Sequence, residues 1–152
     1  MTEKKNEKQN NIRVIVCRPG ERAVAADIGT DLKSMQKIVG GNIEEYMPFT
    51  GSPEDENVAI ICNEEGKMNR LTPCRAITDD DGHIMDIIVG SFFICYAPIE
   101  SETFESLPPD LEEKYLKKYG WPHQFFITDH GVEVCQYQPG LFGKEYVVMD
   151  ER

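Results

Sequence analysis

The 152-residue chain has no long hydrophobic run. Its most apolar stretch, IIVGSFFICYA, falls well short of the ~20 residues a membrane-spanning helix needs. The first eleven residues, MTEKKNEKQNN, are wholly polar, so no signal peptide or membrane anchor is expected there. Positive charge is scarce. Lysine and arginine number 16 against 27 acids, a net charge of −11. The first eleven residues hold three lysines and two glutamates, so the remainder carries −12. Binding to a phosphate backbone wants a basic face, and direct nucleic-acid binding is therefore not expected. The acidity favours solubility and suits a basic partner.

Histidine is equally sparse. His83, His123 and His130 form no HxxxH or HExxH spacing, so no metal site is signalled. The five cysteines are odd in number and lack a CxxC pair; Cys17, Cys62 and Cys95 sit in or beside apolar runs, where a thiol packs as a small hydrophobe. A disulfide framework is not expected, and a reduced, cytoplasmic protein is. Gly40-Gly41 follows a helical pattern instead of opening one after a strand, so it is no phosphate cradle. Glu44 and Glu45 would alternate faces on a strand, leaving at most one to point inward. No catalytic residue, metal or cofactor is expected.

What is present reads as one α+β domain with tails, built mainly as an antiparallel sheet from hairpins with two helices packed on it. Residues 1–11 read as a disordered arm. IRVIVCR, bounded by Pro19-Gly20, reads as a buried strand. A helix over 30–39 takes Thr30 as its N-cap, presents Leu32, Met35 and Val39 on one face, and ends at Gly40-Gly41. NIEEYMPF reads as a strand and GSPEDEN as a polar loop. Three hairpins follow, each an apolar run, an acidic tip ending in glycine, and a second run: VAIIC-NEEG-KMNRL, RAIT-DDDG-HIMDII and FFIT-DHG-VEVCQY. In the first, Gly66 closes the turn and Lys67, Asn69 and Leu71 share a strand face. SFFICYA is a further strand. SLPPDLEEKYLKKYG is a helix capped by Ser106, with Leu111, Tyr115, Leu116 and Tyr119 as its apolar face. EYVVM is a last strand.

The stretches IRVIVCRPGE, VGGNIEEYMPF, VAIICNEEGKMNRL, the arginine of CRAI, and DIIVGSFFI occur in an order and spacing that resemble the family called domain of unknown function 3846 (DUF 3846). The resemblance covers residues 12–97, with 98–152 as a helix-plus-hairpin extension packed on the same domain. It implies a protein of bacteriophages, plasmids or other mobile elements, with no agreed biochemical function and so no catalytic residues to carry over. The family motif falls on Gly40, Gly41, Glu44, Asn63, Glu64, Gly66, Lys67 and Arg75. The chain departs from it at LTPCR, where Cys74 stands in place of an asparagine.

Two non-enzymatic functions follow. The first is an accessory protein of a mobile element that uses an acidic face to bind a host or element protein, in the manner of a counter-defence protein or DNA mimic. The second is a small-ligand or nucleotide binder in which Glu44, Asn63, Glu64, Lys67 and Arg75 converge, with Lys67 and Arg75 holding a phosphorylated ligand. The protein partner is preferred; a homodimer through exposed strand edges is also open. Gly40, Gly41 and Gly66 are structural turn residues in either case.

Overall fold

The apolar runs of the sequence become strands buried on both sides. In β1 (Asn11–Cys17), β4 (Val58–Asn63) and β7 (Phe92–Tyr96) nearly every side chain is buried. Strands enclosed on both faces lose the polar–apolar alternation of a half-solvated sheet. The computed structural model describes residues 11–140 and 143–148. With β2 (Val24–Gly29) and β3 (Ile43–Tyr46) these strands form a five-stranded sheet in the order β2-β1-β7-β4-β3. Every pairing in it is antiparallel.

Alternate residues supply two cores. Val14, Val16, Ala59, Ile61, Phe93 and Cys95 meet helix α1 (Leu32–Val39) on one face. Ile15, Cys17, Val58, Ile60, Phe92 and Ile94 meet helix α2 (Pro109–Tyr119) on the other, together with a two-stranded sheet, β5 (Pro73–Thr78) and β6 (Ile84–Val89). A third sheet, β10-β9-β8, is formed by β8 (His123–Thr128), β9 (Gly131–Gly140) and β10 (Gly143–Val148). The fold is α+β and mainly antiparallel, and the two helices among the described residues lie on opposite faces of the large sheet. Among the described residues no helix is long and apolar enough to cross a membrane. The expected arm falls on residues outside those described, except that Asn11 already belongs to β1. The expected EYVVM strand lies within β10 as far as Val148, and Met149 lies outside the described residues.

Several local expectations need correction. The N-cap of α1 is Asp31, not Thr30: its carboxylate accepts from the Ser34 amide at 3.0 Å and the Ser34 hydroxyl at 2.7 Å. These bonds hold the Asp31 carboxyl below its ordinary pKa. Met35 and Val39 face the core, whereas Leu32, in the first turn, is 55% exposed. Gly40 ends the helix at φ 80°, where a side chain would be strained. Ser106 does not cap α2; its hydroxyl accepts from the Arg13 amide at 2.8 Å and ties the chain before the helix to β1. β2 is an addition to the elements expected from the sequence: VAADIG is rich in small residues, is interrupted by Asp27 and lies at a sheet edge, with no residue fully buried.

The largest correction concerns the first hairpin. β4 pairs with β3 and β7, and residues 64–70 form a run of turns that carries the chain from the large sheet to β5. Lys67 and Asn69 are therefore turn residues with no shared strand face. Gly66 does not take positive φ; Arg70 does, at 57°. Gly66 is glycine for space instead, since a Cβ would lie 3.0 Å from Val89 Cγ2 and 3.2 Å from its carbonyl oxygen. The other two hairpins form as expected, β5–β6 with Gly82 at φ 86° and β8–β9 with Gly131 at φ 113°.

Candidate functional site

β3 enters the site as the outermost strand of the large sheet, and successive side chains go to opposite faces. Tyr46 packs on the α2 side and Ile43 on the α1 side, so Glu44 lies with Tyr46. The 64–70 turn then folds over the end of β4, and β6 runs alongside. Together they enclose a cleft of about 350 Å³ lined by Glu44, Tyr46, Cys62, Asn63, Glu64, Lys67, Met68 and the β6 residues Asp86–Val89.

Asn63 builds this geometry. Its side-chain amide donates to the Val39 carbonyl at 3.1 Å, and its side-chain oxygen accepts from the Glu65 amide at 2.8 Å. The Glu64 amide donates to the Asn42 carbonyl at 2.8 Å. A Cβ on Gly41 would come within 2.8 Å of the Asn63 amide nitrogen. The VGG and NEEG stretches therefore form one lock: Gly40 turns the chain, Gly41 makes room, and Asn63 joins the end of α1 to the turn. Further turns close it, with Asn69 N–H donating to Glu65 and Leu71 N–H to Gly66.

Three carboxylates, Glu44, Glu64 and Asp86, face one ammonium in the cleft. Lys67 Nζ donates to Asp86 Oδ1 at 2.7 Å, so the cation is already engaged. The field registers on the neighbouring thiol. Burial first, then the charges of Glu44 and Asp86, push Cys62 up to about 11, against a smaller opposing pull from Lys67. Burial and Asp86 likewise raise Tyr46. The cleft is acidic at its rim, with Tyr46, Met68 and Ile87–Val89 as apolar wall.

Glu44, Asn63, Glu64 and Lys67 thus come together, and Arg75 does not. Arg75 is wholly buried and donates only to backbone carbonyls and its neighbouring thiol: Nε to Tyr119 at 2.9 Å, Nη1 to Cys74 at 3.0 Å and Arg18 at 3.3 Å, Nη2 to Glu21 at 2.7 Å. It pins the β1–β2 loop and the C-terminal end of α2, where helix carbonyls lack partners, to β5. Asp86 and Tyr46 are the site residues that sequence reasoning missed. The signal for Asp86 was a single acid inside the apolar run of β6.

Thiol chemistry is disfavoured here. Burial holds Cys17 and Cys74 up to about 12, and raises Cys95 further. His123 is buried, and its Nδ1 accepts from the Ala76 amide at 3.0 Å. Burial, reinforced by the charge of Arg75, lowers it to about 4. At the β5–β6 tip Asp79, Asp81 and His83 bring donor atoms within 4.8 Å of one another. Asp79 Oδ1 there already accepts from the amides of Asp81 and His83, which explains the arrangement as a turn. A larger depression of about 680 Å³ lies between β5–β6 and β8–β9; Pro73, Ile87, Phe125, Phe126 and Val132 line it, and among the described residues no charged side chain does.

The family described as domain of unknown function (DUF3846) matches residues 12–120. The match takes in α2, which the resemblance read from the sequence had left outside, and stops before β8. No curated protein and no solved structure matches the chain. With well over half of its length matched, the chain belongs to the DUF3846 family.

Proposed function

We propose that this chain is a non-enzymatic accessory protein of a mobile genetic element and that it acts by binding a basic segment of a host or element protein in the cleft between β3, the 64–70 turn and β6. The mobile-element setting rests on the family resemblance. The binding chemistry rests on one observation: three carboxylates surround a small, partly apolar cleft whose single ammonium is bonded to one of them. An amine or guanidinium on an aliphatic stem suits such a site, its stem on the apolar wall and its head among the carboxylates. A phosphorylated ligand is poorly served, because Arg75 is engaged elsewhere by carbonyls and Lys67 by Asp86.

The test is native mass spectrometry of tagged protein drawn from its own host's lysate, beside the double variant Glu44→Gln, Glu64→Gln. Both glutamates are exposed, so the amides leave the fold intact. The expected outcome is a basic protein that co-purifies with the wild type and is lost from the variant. Retention of a compound of a few hundred daltons, held equally by both, would replace this function with the small-ligand one.

A further inference from the structure

We infer that the outer edge of β3 receives an extended basic segment of the partner as an added antiparallel or parallel strand, with alternate side chains of that segment entering two clefts on opposite faces of the sheet. The inference rests on the proposed acidic cleft and extends it.

Among the described residues β3 has one strand neighbour, β4, so its other edge is unpaired. Glu44 and Tyr46 line the cleft already described. The intervening positions serve a second one. Glu45 and Met47 border a depression of about 470 Å³ on the α1 face, together with Met35, Ile99, Glu102 and Phe104. Both clefts therefore flank the same strand, one on each face. An added strand places its residues alternately on the two faces at the spacing of β3 itself. Main-chain hydrogen bonds then supply affinity and the flanking pockets supply selection.

The charges decide the occupant. Among the described residues the second cleft carries Glu45 and Glu102 and no cation. The first carries Glu44, Glu64 and Asp86 against Lys67. A segment with lysine or arginine directed to both faces is complementary on both. A second copy of β3 paired antiparallel about the Glu44–Glu45 midpoint would set each Glu44 against the Glu45 of the other copy, and like charges directly opposite across a strand pair repel. The same two glutamates keep the edge from pairing indiscriminately.

The probe is a fluorescein-labelled octapeptide in which valine pairs alternate with lysine pairs, so that each face of the extended chain carries both residue types. Its affinity is measured by anisotropy against the full chain, and compared with the same peptide N-methylated at its four central amides. N-methylation keeps the charge and removes strand pairing. The expected result is a loss of about tenfold or more on methylation. Affinity falls as well in Glu44→Gln, Glu64→Gln and in Glu45→Gln, Glu102→Gln, while β3 amides gain protection from hydrogen exchange. Equal binding of the methylated peptide, with Glu45→Gln, Glu102→Gln indistinguishable from wild type, overturns strand addition and leaves the cleft function standing. Loss on methylation with full affinity in Glu44→Gln, Glu64→Gln overturns the cleft function and leaves strand addition. Binding of neither peptide overturns both. Protection of β3 amides that rises with protein concentration, without peptide, makes a second copy the occupant and overturns the inference.

Discussion

Arg75 carries the strongest structural demand placed on any one side chain. Its guanidinium meets carbonyls of Arg18, Glu21, Cys74 and Tyr119, three of them far away in the chain. Truncation would leave several buried acceptors without donors and a cavity between loop, strand and helix. Arg75→Met should therefore cost about 3 kcal/mol or more in urea unfolding, and should lower peptide binding only in proportion to the unfolded fraction. His123 makes the complementary prediction in pH. Its folded value of about 4 lies below the ordinary 6.5, so the unfolded chain binds the extra proton between those limits. The His123 contribution to stability is full above pH 6.5, falls as pH drops toward 4, and levels off below, a loss of up to roughly 3 kcal/mol. His123→Gln should flatten that part of the urea-midpoint profile. The carboxylates held low, Asp31, Asp55 and Asp79, lose their contribution mainly as pH falls through and below their ordinary 3.8, so the profile keeps falling beneath the His123 step in wild type and variant alike. At this scale the sequence was informative about which residues matter and silent about why. Glu44, Asn63, Glu64 and Lys67 stand in motif stretches that meet in space. Arg75 stands in the same motif for a different reason, because backbone carbonyls from distant segments leave no pattern in side-chain identity.

Among the elements, the segment 49–57 shows how a polar loop becomes part of the core. Asp55 is buried and bonded by the Ser52 hydroxyl at 2.8 Å, Lys114 Nζ at 2.9 Å and the Tyr115 hydroxyl at 2.6 Å. Burial alone would raise its pKa; the bonds from Tyr115, Lys114 and Ser52 outweigh it and hold the carboxyl low. The neighbouring Phe49 packs on Tyr115 with ring centroids 4.8 Å apart. The loop is thereby fastened to α2 next to β4. Tyr115→Phe keeps the ring and removes one donor to a buried charge, so a loss of about 2 kcal/mol is expected, read as a lower urea midpoint with an unchanged slope. A midpoint equal to that of the wild type would mean that Lys114 and Ser52 suffice. GSPEDEN was legible as a loop but not as an anchor, since one aspartate among acids looks like its neighbours until α2 lies over it. The missed strand and the misread hairpin have different causes. β4 pairs with β3 and β7 and not with the run that follows it, and a local pattern of apolar run, acidic tip and glycine holds no information about whether the following run pairs back; β2 does pair with its own neighbour β1, but as an edge strand it has no apolar run to announce it. The two hairpins that were read correctly close on their own neighbours, through Gly82 and Gly131.

For the whole molecule the net charge of −11 sets two effects of opposite sign in salt. Like charges repel across the folded surface, and raising ionic strength from about 0.01 to 0.1 M shortens the screening length from ~30 to ~10 Å. The free protein should therefore melt at a higher temperature as salt rises over that range. The attraction between the acidic clefts and a basic segment is screened by the same ions, so its affinity should fall while the protein itself gains stability. This opposition separates binding from folding. A loss of peptide affinity in salt cannot come from unfolding if the melting temperature has risen in the same buffers. The site's make-up adds a control, because Glu44, Glu45, Glu64, Asp86 and Glu102 all border the two clefts beside β3. In a variant with Glu44, Glu45, Glu64 and Glu102 all changed to glutamine, the salt dependence of binding should flatten while the salt dependence of melting keeps its sign. If binding in that variant remains as steep in salt as in the wild type, the attraction arises from acidic residues elsewhere on the surface, and the two clefts do not select the partner.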